Sequence, residues 1–537
     1  MIASSPPLKF GFFFGAGAEI SYGLPSGGRF ALEIFRRGAD SEKDLIRRQI
    51  KSVDRSDVYA STFLPHDFET KRISKFGKAD YKAILKSSIE QRRSLILQFL
   101  DNFDQHVASK LQEMEITEDD LARRFETLTG KVYGSVTYDH EVKLHDSLRS
   151  NTQLFKSSAF SAMLQILRQK KATEMLRRCL TSFLKLLVGC YAQNMCSELN
   201  EQTFTKAPDG ISIFDDLGGL FQVEMSQAGL GALEIVLEDT ATEIDGSSSS
   251  DVVFGELARR VLELLIEGCL DYQSLIDENF RFLYQPKAHW GNFTKIVTFL
   301  HVVRAYLVEQ AEKAGDSVTT GPGYYHDLKV LGANGVVPHV IGTSNYNRLA
   351  EQIIGAVCPV EHLHGSVSEF YDPYGNSIVT VEHNEDMPEG RILVPLLFTQ
   401  SGIKPLTSLE MSRRYVELYD RFCESDAVVV CGYGFNGDDG HINCLFRNLI
   451  EVDKKNVFIL DYVRDGKPKP GINATYSRRL RLRAPSPHLH IISVGPNRKT
   501  QSGEMWHTVI AERVRTMPNR VGFAAAAASA ASTSTVN

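Results

Sequence analysis

The chain has 537 residues, 43% hydrophobic and 23% charged, with a formal net charge of −6. That is a globular composition in a chain too long for one ordinary core, so two or more domains are expected. The mild negative balance gives no general attraction to nucleic acid or an anionic membrane, and no apolar stretch is long enough to span a bilayer. None of the eight cysteines stands in a C-x-x-C pair, so neither a disulfide framework nor a zinc ribbon is expected, and the cytoplasm is the expected compartment.

The run from Lys9 to Phe14 reads as a buried strand, Gly15-Ala16-Gly17 as a turn too tight for side chains, and roughly Gly27 to Arg37 as a helix. The phenylalanines follow a single Lys and run into glycines and Glu19, which is not the pattern of a signal peptide. A glycine turn of this kind offers backbone N–H groups at a positive helix terminus, where phosphate binds, so a nucleotide is the expected ligand. A dehydrogenase-type fingerprint wants a third glycine where Ile20 stands, and a P-loop wants Gly-Lys-Ser/Thr, which is absent. A purely structural strand-to-helix turn remains open.

Helical spacing dominates the middle of the chain: Phe160 to Leu167, Ala172 to Leu187 and Leu257 to Leu270 carry the broad apolar faces of a packed bundle. Asp239 to Asp251 reads as a loop. From about Val337, continuous apolar runs alternate with helical stretches: 337–341, 358–363, 392–396, 427–431, 456–460 and 489–494. Such runs suit strands buried on both faces. The fold class expected is therefore α/β, a Rossmann-like doubly wound parallel sheet with a large, mainly α-helical insertion. Residues 1–38 would supply the first strand, turn and helix, 39–324 the insertion, 325–515 the rest of the sheet domain, and 516–537 an Ala/Ser/Thr-rich low-complexity tail.

Polar or glycine groups follow the strand candidates: Gly15-Ala16-Gly17, Thr343-Ser344-Asn345-Tyr346-Asn347, His364-Gly365-Ser366, Gly432-Tyr433-Gly434-Phe435-Asn436, and Asp461. If the strands are parallel, all five groups converge at the carboxyl edge, where open α/β sheets bind ligands. His362 and His364, two apart, can point the same way on a strand, as metal ligands would, but no cysteine pair accompanies them. Asp438, Asp439 and His441 read as an exposed polar loop rather than a metal site. Lys404-Pro405 and Arg413-Arg414 read as surface charges.

Gly15-Ala16-Gly17, Ser21 and Gly23-Leu24-Pro25 resemble the opening motif of the sirtuin (silent information regulator two) family. Thr343 to Asn347 is similar to its Gln-Asn-Ile-Asp segment, Leu363-His364-Gly365-Ser366 to its catalytic-histidine motif, and Gly432 to Asn436, with Asp438 and Asp439, to the late adenosine-binding turn of sirtuin-like defence proteins. The likeness covers about residues 8–37 and 335–495. It implies NAD⁺ as substrate, with His364 as general base toward a ribose hydroxyl or water and Asn345 holding those hydroxyls or that water. It implies Gly15, Ala16, Gly17, Ala18, Ser21 and Pro25 around the pyrophosphate, Thr343 and Asn347 near the nicotinamide end, and Gly432, Gly434, Phe435 and Asp461 toward the adenosine. Three departures stand out: the zinc-binding Cys pairs of protein-deacylating sirtuins are missing, so no zinc is expected; Glu19 replaces a small residue; and Asn347 replaces an acid, though its carboxamide can still donate and accept. The activity implied is an NAD⁺ glycohydrolase releasing nicotinamide and linear or cyclic ADP-ribose, an abortive-infection effector of anti-phage defence. An NAD⁺-dependent deacylase and a non-catalytic NAD⁺ or ADP-ribose sensor are the alternatives. A homo-oligomer is expected, and a protein partner such as a HerA-type ATPase is implied by family association; the sequence itself carries no membrane segment and no clear nucleic-acid signal.

Overall fold

The structure is a computed structural model. It describes residues 6–25, 27–141, 152–202, 210–212, 222–224, 229–238, 243–245, 247–270, 273–382, 384–397, 408–463 and 467–517. Lys404, Pro405 and nearly all of the Ala/Ser/Thr-rich tail lie outside the described residues, as does part of the Asp239 to Asp251 stretch. Among the described residues no helix is long and apolar enough to cross a membrane.

Six parallel strands form the main sheet: β1 (Leu8–Phe14), β2 (Val336–Thr343), β3 (Val360–His362), β4 (Ala427–Cys431), β5 (Val457–Tyr462) and β6 (Leu489–Val494). Their order is β3-β2-β1-β4-β5-β6, that of doubly wound dinucleotide-binding sheets, with the reversal of direction between β1 and β4. Successive side chains on a strand face opposite ways. Phe10, Phe12 and Phe14 accordingly enter one core with α1 (Leu349–Ile354) and Trp506 and Ile510 of α5 (Trp506–Thr516). Phe13 enters the other with Phe422 of α2 (Leu409–Glu424), Phe446 of α3 (Gly440–Glu451) and Tyr476 of α4 (Ile472–Arg479). Both faces are covered, which explains why the strands read as unbroken apolar runs.

The run 392–396, expected in this sheet, lies elsewhere. Only Val394–Pro395 is extended, pairing antiparallel with Glu369–Asp372, which also pairs with Ser377–Thr380. An apolar run reports burial, not the partner strand, and Pro395 has no N–H for a central ladder position.

By its contacts the described chain divides into two compact units. One holds the sheet and comprises the residues up to 25, Asp40–Ser74 and those from Phe280 on. Asp40–Ser74 is tied in by Trp290, whose Nε1 donates to the Arg72 carbonyl at 3.1 Å, and by an Arg391–Asp57 pair at 3.0 Å. The second unit, Gly27–Ala39 with Lys75–Asn279, is mainly helical. Its helices Ser158–Arg168, Glu174–Gln202 and Ser250–Cys269 match the three helical stretches read from spacing. Helix Gly27–Arg36, expected beside the sheet, belongs to this second unit. Arg36 explains why: its guanidinium donates to the Val236 carbonyl at 2.7 and 2.9 Å and pairs with Glu263 at 3.1 Å.

Candidate functional site

The register aligns the strand ends. Phe14 lies opposite both Thr343 and Cys431, Thr343 opposite His362, and Leu460 opposite Cys431. The groups that follow these residues therefore leave the sheet along one edge, as the parallel reading requires.

At the switch between β1 and β4 the two glycine turns lock together. Gly15 N–H donates to the Cys431 carbonyl at 3.0 Å, and Gly17 N–H to the Gly432 carbonyl at 2.9 Å. Gly432 has φ +65°, and a Cβ there would stand 2.0 Å from the Ala18 nitrogen; one on Gly15 would stand 2.7 Å from the Gly432 oxygen. The glycines are thus required by contact between two backbones. After the turn the chain makes two short 3₁₀ turns, Ala16–Ala18 and Ile20–Tyr22, before the helix at Gly27. Ala18 N–H donates to the Gly15 carbonyl and Glu19 N–H to the Ala16 carbonyl. The expected row of outward N–H groups at a helix terminus is therefore largely consumed within the turn, although Ala16 and Gly17 are exposed. The Ser21 hydroxyl turns back to the Ala18 carbonyl, and Pro25 is half-buried.

Beyond β1 and β2 a polar network is buried. Tyr325 donates its hydroxyl to one oxygen of Glu19 at 2.7 Å, and Asn347 donates Nδ2 to the other at 2.5 Å. Asn345 Nδ2 reaches the Tyr325 hydroxyl at 3.3 Å. Thr343 holds the loop, donating to the Phe14 carbonyl and accepting from Asn345 N–H. Asn347 Oδ1 also accepts Leu349 N–H at the start of α1. Burial pushes Glu19 up to about 7, against the lowering effect of its bonds to Asn347, Tyr325 and Asn345 and of the nearby His362. His362 bridges the Asn345 carbonyl and Glu351, each at 2.9 Å; burial works against its proton, but the Glu351 carboxylate prevails and raises its pKa. Asn347 also lines a cleft of about 870 Å³ with Arg304, Arg348 and Glu382, which neither His364 nor the glycine turns line.

His364 faces a different partner. Its Nε2 lies 3.4 Å from Oδ1 of Asp439, and both residues are buried. His441 lies nearby, its ring tilted against that of His364 with centroids 5.6 Å apart. The reading of Asp439 as part of an exposed loop is corrected: it is 7% exposed and precedes the first turn of α3. The Asp438 side chain lies outside the described residues. Arg414 is not simply a surface charge either, since it pairs with buried Glu369.

On the β4–β5 side, Phe435 adopts φ +52° and packs its ring against Phe446 and Tyr476. Asp461 is the penultimate residue of β5 and is 8% exposed; its Oδ1 accepts the Tyr476 hydroxyl at 2.9 Å, and its Oδ2 has no partner among the described residues. Arg479 donates to the Gly434 carbonyl at 3.2 Å.

The predicted residues thus form four groups: interlocked glycines, a closed network around Glu19 that includes Asn345 and Asn347, His364 with Asp439 and His441, and Asp461 with Tyr476. Sequence reasoning gave no role to Glu19 or Tyr325 and placed Asp439 only in the adenosine-side turn, not beside His364. Glu19 had a signal, an acid within a glycine turn, whereas Tyr325 had none.

A parallel sheet in 3-2-1-4-5-6 order with glycine turns at its switch point is compatible with a Rossmann-like fold. No family model and no curated protein sequence matches this chain.

Proposed function

We propose that the chain is an NAD⁺ glycohydrolase built on a sirtuin-like sheet domain, and the observation that carries this reading is the His364–Asp439 pair at the carboxyl edge of the sheet. NAD⁺ carries a good leaving group, because nicotinamide is cationic while attached and departs neutral. Positive charge then moves onto the ribose, as in an oxocarbenium-like transition state. The protein has only to position the ribose and supply a nucleophile. The Asp439 carboxylate lies 3.4 Å from Nε2 of His364, longer than a formed hydrogen bond; in this reading it closes on that N–H in the substrate complex and fixes the tautomer, leaving Nδ1 to take a proton from water or a ribose hydroxyl. Asn345, braced by Tyr325, orients that nucleophile, and the open oxygen of Asp461 accepts a hydroxyl of the adenosine ribose.

In this reading the helical unit is a regulatory or oligomerisation insertion, and the protein is a cytoplasmic abortive-infection effector whose low basal turnover a trigger or a HerA-type partner raises. Incubation of the full chain with NAD⁺, with and without an acetylated peptide, separates the readings. Nicotinamide and ADP-ribose release without peptide is the expected result. Turnover only with peptide means a deacylase, and NAD⁺ binding without turnover means a sensor; either result overturns the proposal.

A further inference from the structure

The ligand atoms of His364, Asp439 and His441 all lie within 4.8 Å of one another. Two imidazoles and one carboxylate, with no thiolate, form a donor set suited to zinc or cobalt, and three protein ligands leave one position open for water. The geometry is already close. Zinc–nitrogen and zinc–oxygen bonds of about 2.0–2.1 Å in a tetrahedron place neighbouring ligand atoms about 3.3–3.4 Å apart, and His364 Nε2 and Asp439 Oδ1 stand 3.4 Å apart. His441 needs only a small inward turn. Its ring lies tilted against that of His364 and edge-on to that of Tyr415, with centroids at 5.6 and 5.5 Å, and it is the most exposed of the three, so an ion approaches from its side. Asp439 and His441 flank the first residue of α3, Gly440, so the helix start fixes their spacing, while the turn after β3 brings His364 to them. Asp439 supplies the negative charge a divalent cation requires.

We propose that His364, Asp439 and His441 bind one divalent transition-metal ion of the zinc class, and that the bound ion silences His364. The silencing rests on the glycohydrolase reading; the metal binding does not. An ion on Nε2 requires the neutral ring to carry its proton on Nδ1, which turns the proposed proton acceptor into a donor. The site would then be an inhibitory lock: chelation frees the base and occupancy removes it.

The test is a titration of the chelator-stripped full-length chain with Co²⁺, read by its visible d–d absorption, followed by displacement with Zn²⁺. One Co²⁺ per chain is expected, with affinity at least ~10-fold weaker in His441→Gln and in the near-isosteric Asp439→Asn. Both metal-free variants should keep the wild-type circular dichroism and unfolding midpoint. Absence of a tetrahedral cobalt spectrum, or wild-type affinity in His441→Gln, overturns the site. In parallel, Zn²⁺ should lower nicotinamide release at least ~10-fold, with recovery on chelation; unchanged or increased release overturns the silencing. A chain that releases no nicotinamide in any state defeats the glycohydrolase reading, while the cobalt spectrum still decides the metal site.

Discussion

Beyond β1 and β2, Glu19 has both carboxylate oxygens bonded, to Tyr325 and Asn347, and Asn345 braces the same tyrosine. Beyond β5, Asp461 has one oxygen held by Tyr476 and the other buried with no partner among the described residues. Both acids are buried at the same edge of the same sheet. A saturated network can hold loops in place and store a proton, but it offers little to a ligand without being broken. An unsatisfied buried acceptor costs free energy in the empty protein, a cost that a ligand hydroxyl removes. The comparison assigns positioning to the Glu19 side and recognition to the Asp461 side, and leaves the chemistry to His364 after β3.

The sharpest test of that division is His364→Ala. Loss of a general base should lower nicotinamide release by ~10²–10⁴-fold, with NAD⁺ binding and unfolding midpoint nearly unchanged. Undiminished turnover would remove His364 from the chemistry. The glycine lock that separates the two sides predicts a change of the opposite kind. In Gly432→Ala a Cβ must fit 2.0 Å from the Ala18 nitrogen at a positive φ, so denaturant unfolding should show a loss of about 3 kcal/mol or more. A stable Gly432→Ala protein would mean that the turns are not in contact.

Much of this edge was legible in the sequence, because strands buried on both faces leave continuous apolar runs and the residues after them are polar or glycine. The six sheet strands, the parallel arrangement and the three long helices follow from that pattern. Partners far apart in the chain were not legible. Nothing local tells that Tyr325 meets Glu19, 306 positions away, or that Arg36 carries its helix to Val236 and Glu263. Run 392–396 looks like a sheet strand because apolarity reports burial alone. Asp439 looked exposed because its neighbours are polar and glycine, whereas its burial comes from a histidine on another strand's turn. The same cause hid the His364–Asp439–His441 cluster, since metal spacing was sought among cysteines and near neighbours.

Glu19 gives the closed side its own signature. Its pKa is raised from 4.5 to about 7 by burial, so between those values the folded chain binds a proton that the unfolded chain has released. The stability this contributes is fully present below about pH 4.5 and is lost as pH rises through about 7, a change of about 3 kcal/mol. Glu19→Gln, uncharged throughout, should flatten that slope between pH 5 and 7 in denaturant unfolding, although its amide faces Asn347 donor to donor and lowers stability at acid pH. A slope that survives the substitution would place the titrating group elsewhere.

The smallest effect expected is also the most discriminating. In Asp461→Asn the side-chain oxygen still accepts from Tyr476, so the local fold is kept. An NH₂ group then stands where the open carboxylate oxygen was, and a ligand hydroxyl meets a donor in place of an acceptor. NAD⁺ affinity, measured calorimetrically on the His364→Ala background to prevent turnover, should fall about tenfold. Stability of the free protein should stay level or rise by about 0.5–1 kcal/mol, because a buried, half-satisfied carboxylate has been neutralised. Opposite signs in affinity and stability mark a residue kept for binding at the expense of the fold. If stability falls and affinity holds, Asp461 is an anchor for Tyr476, and the two sides of the sheet edge are alike after all.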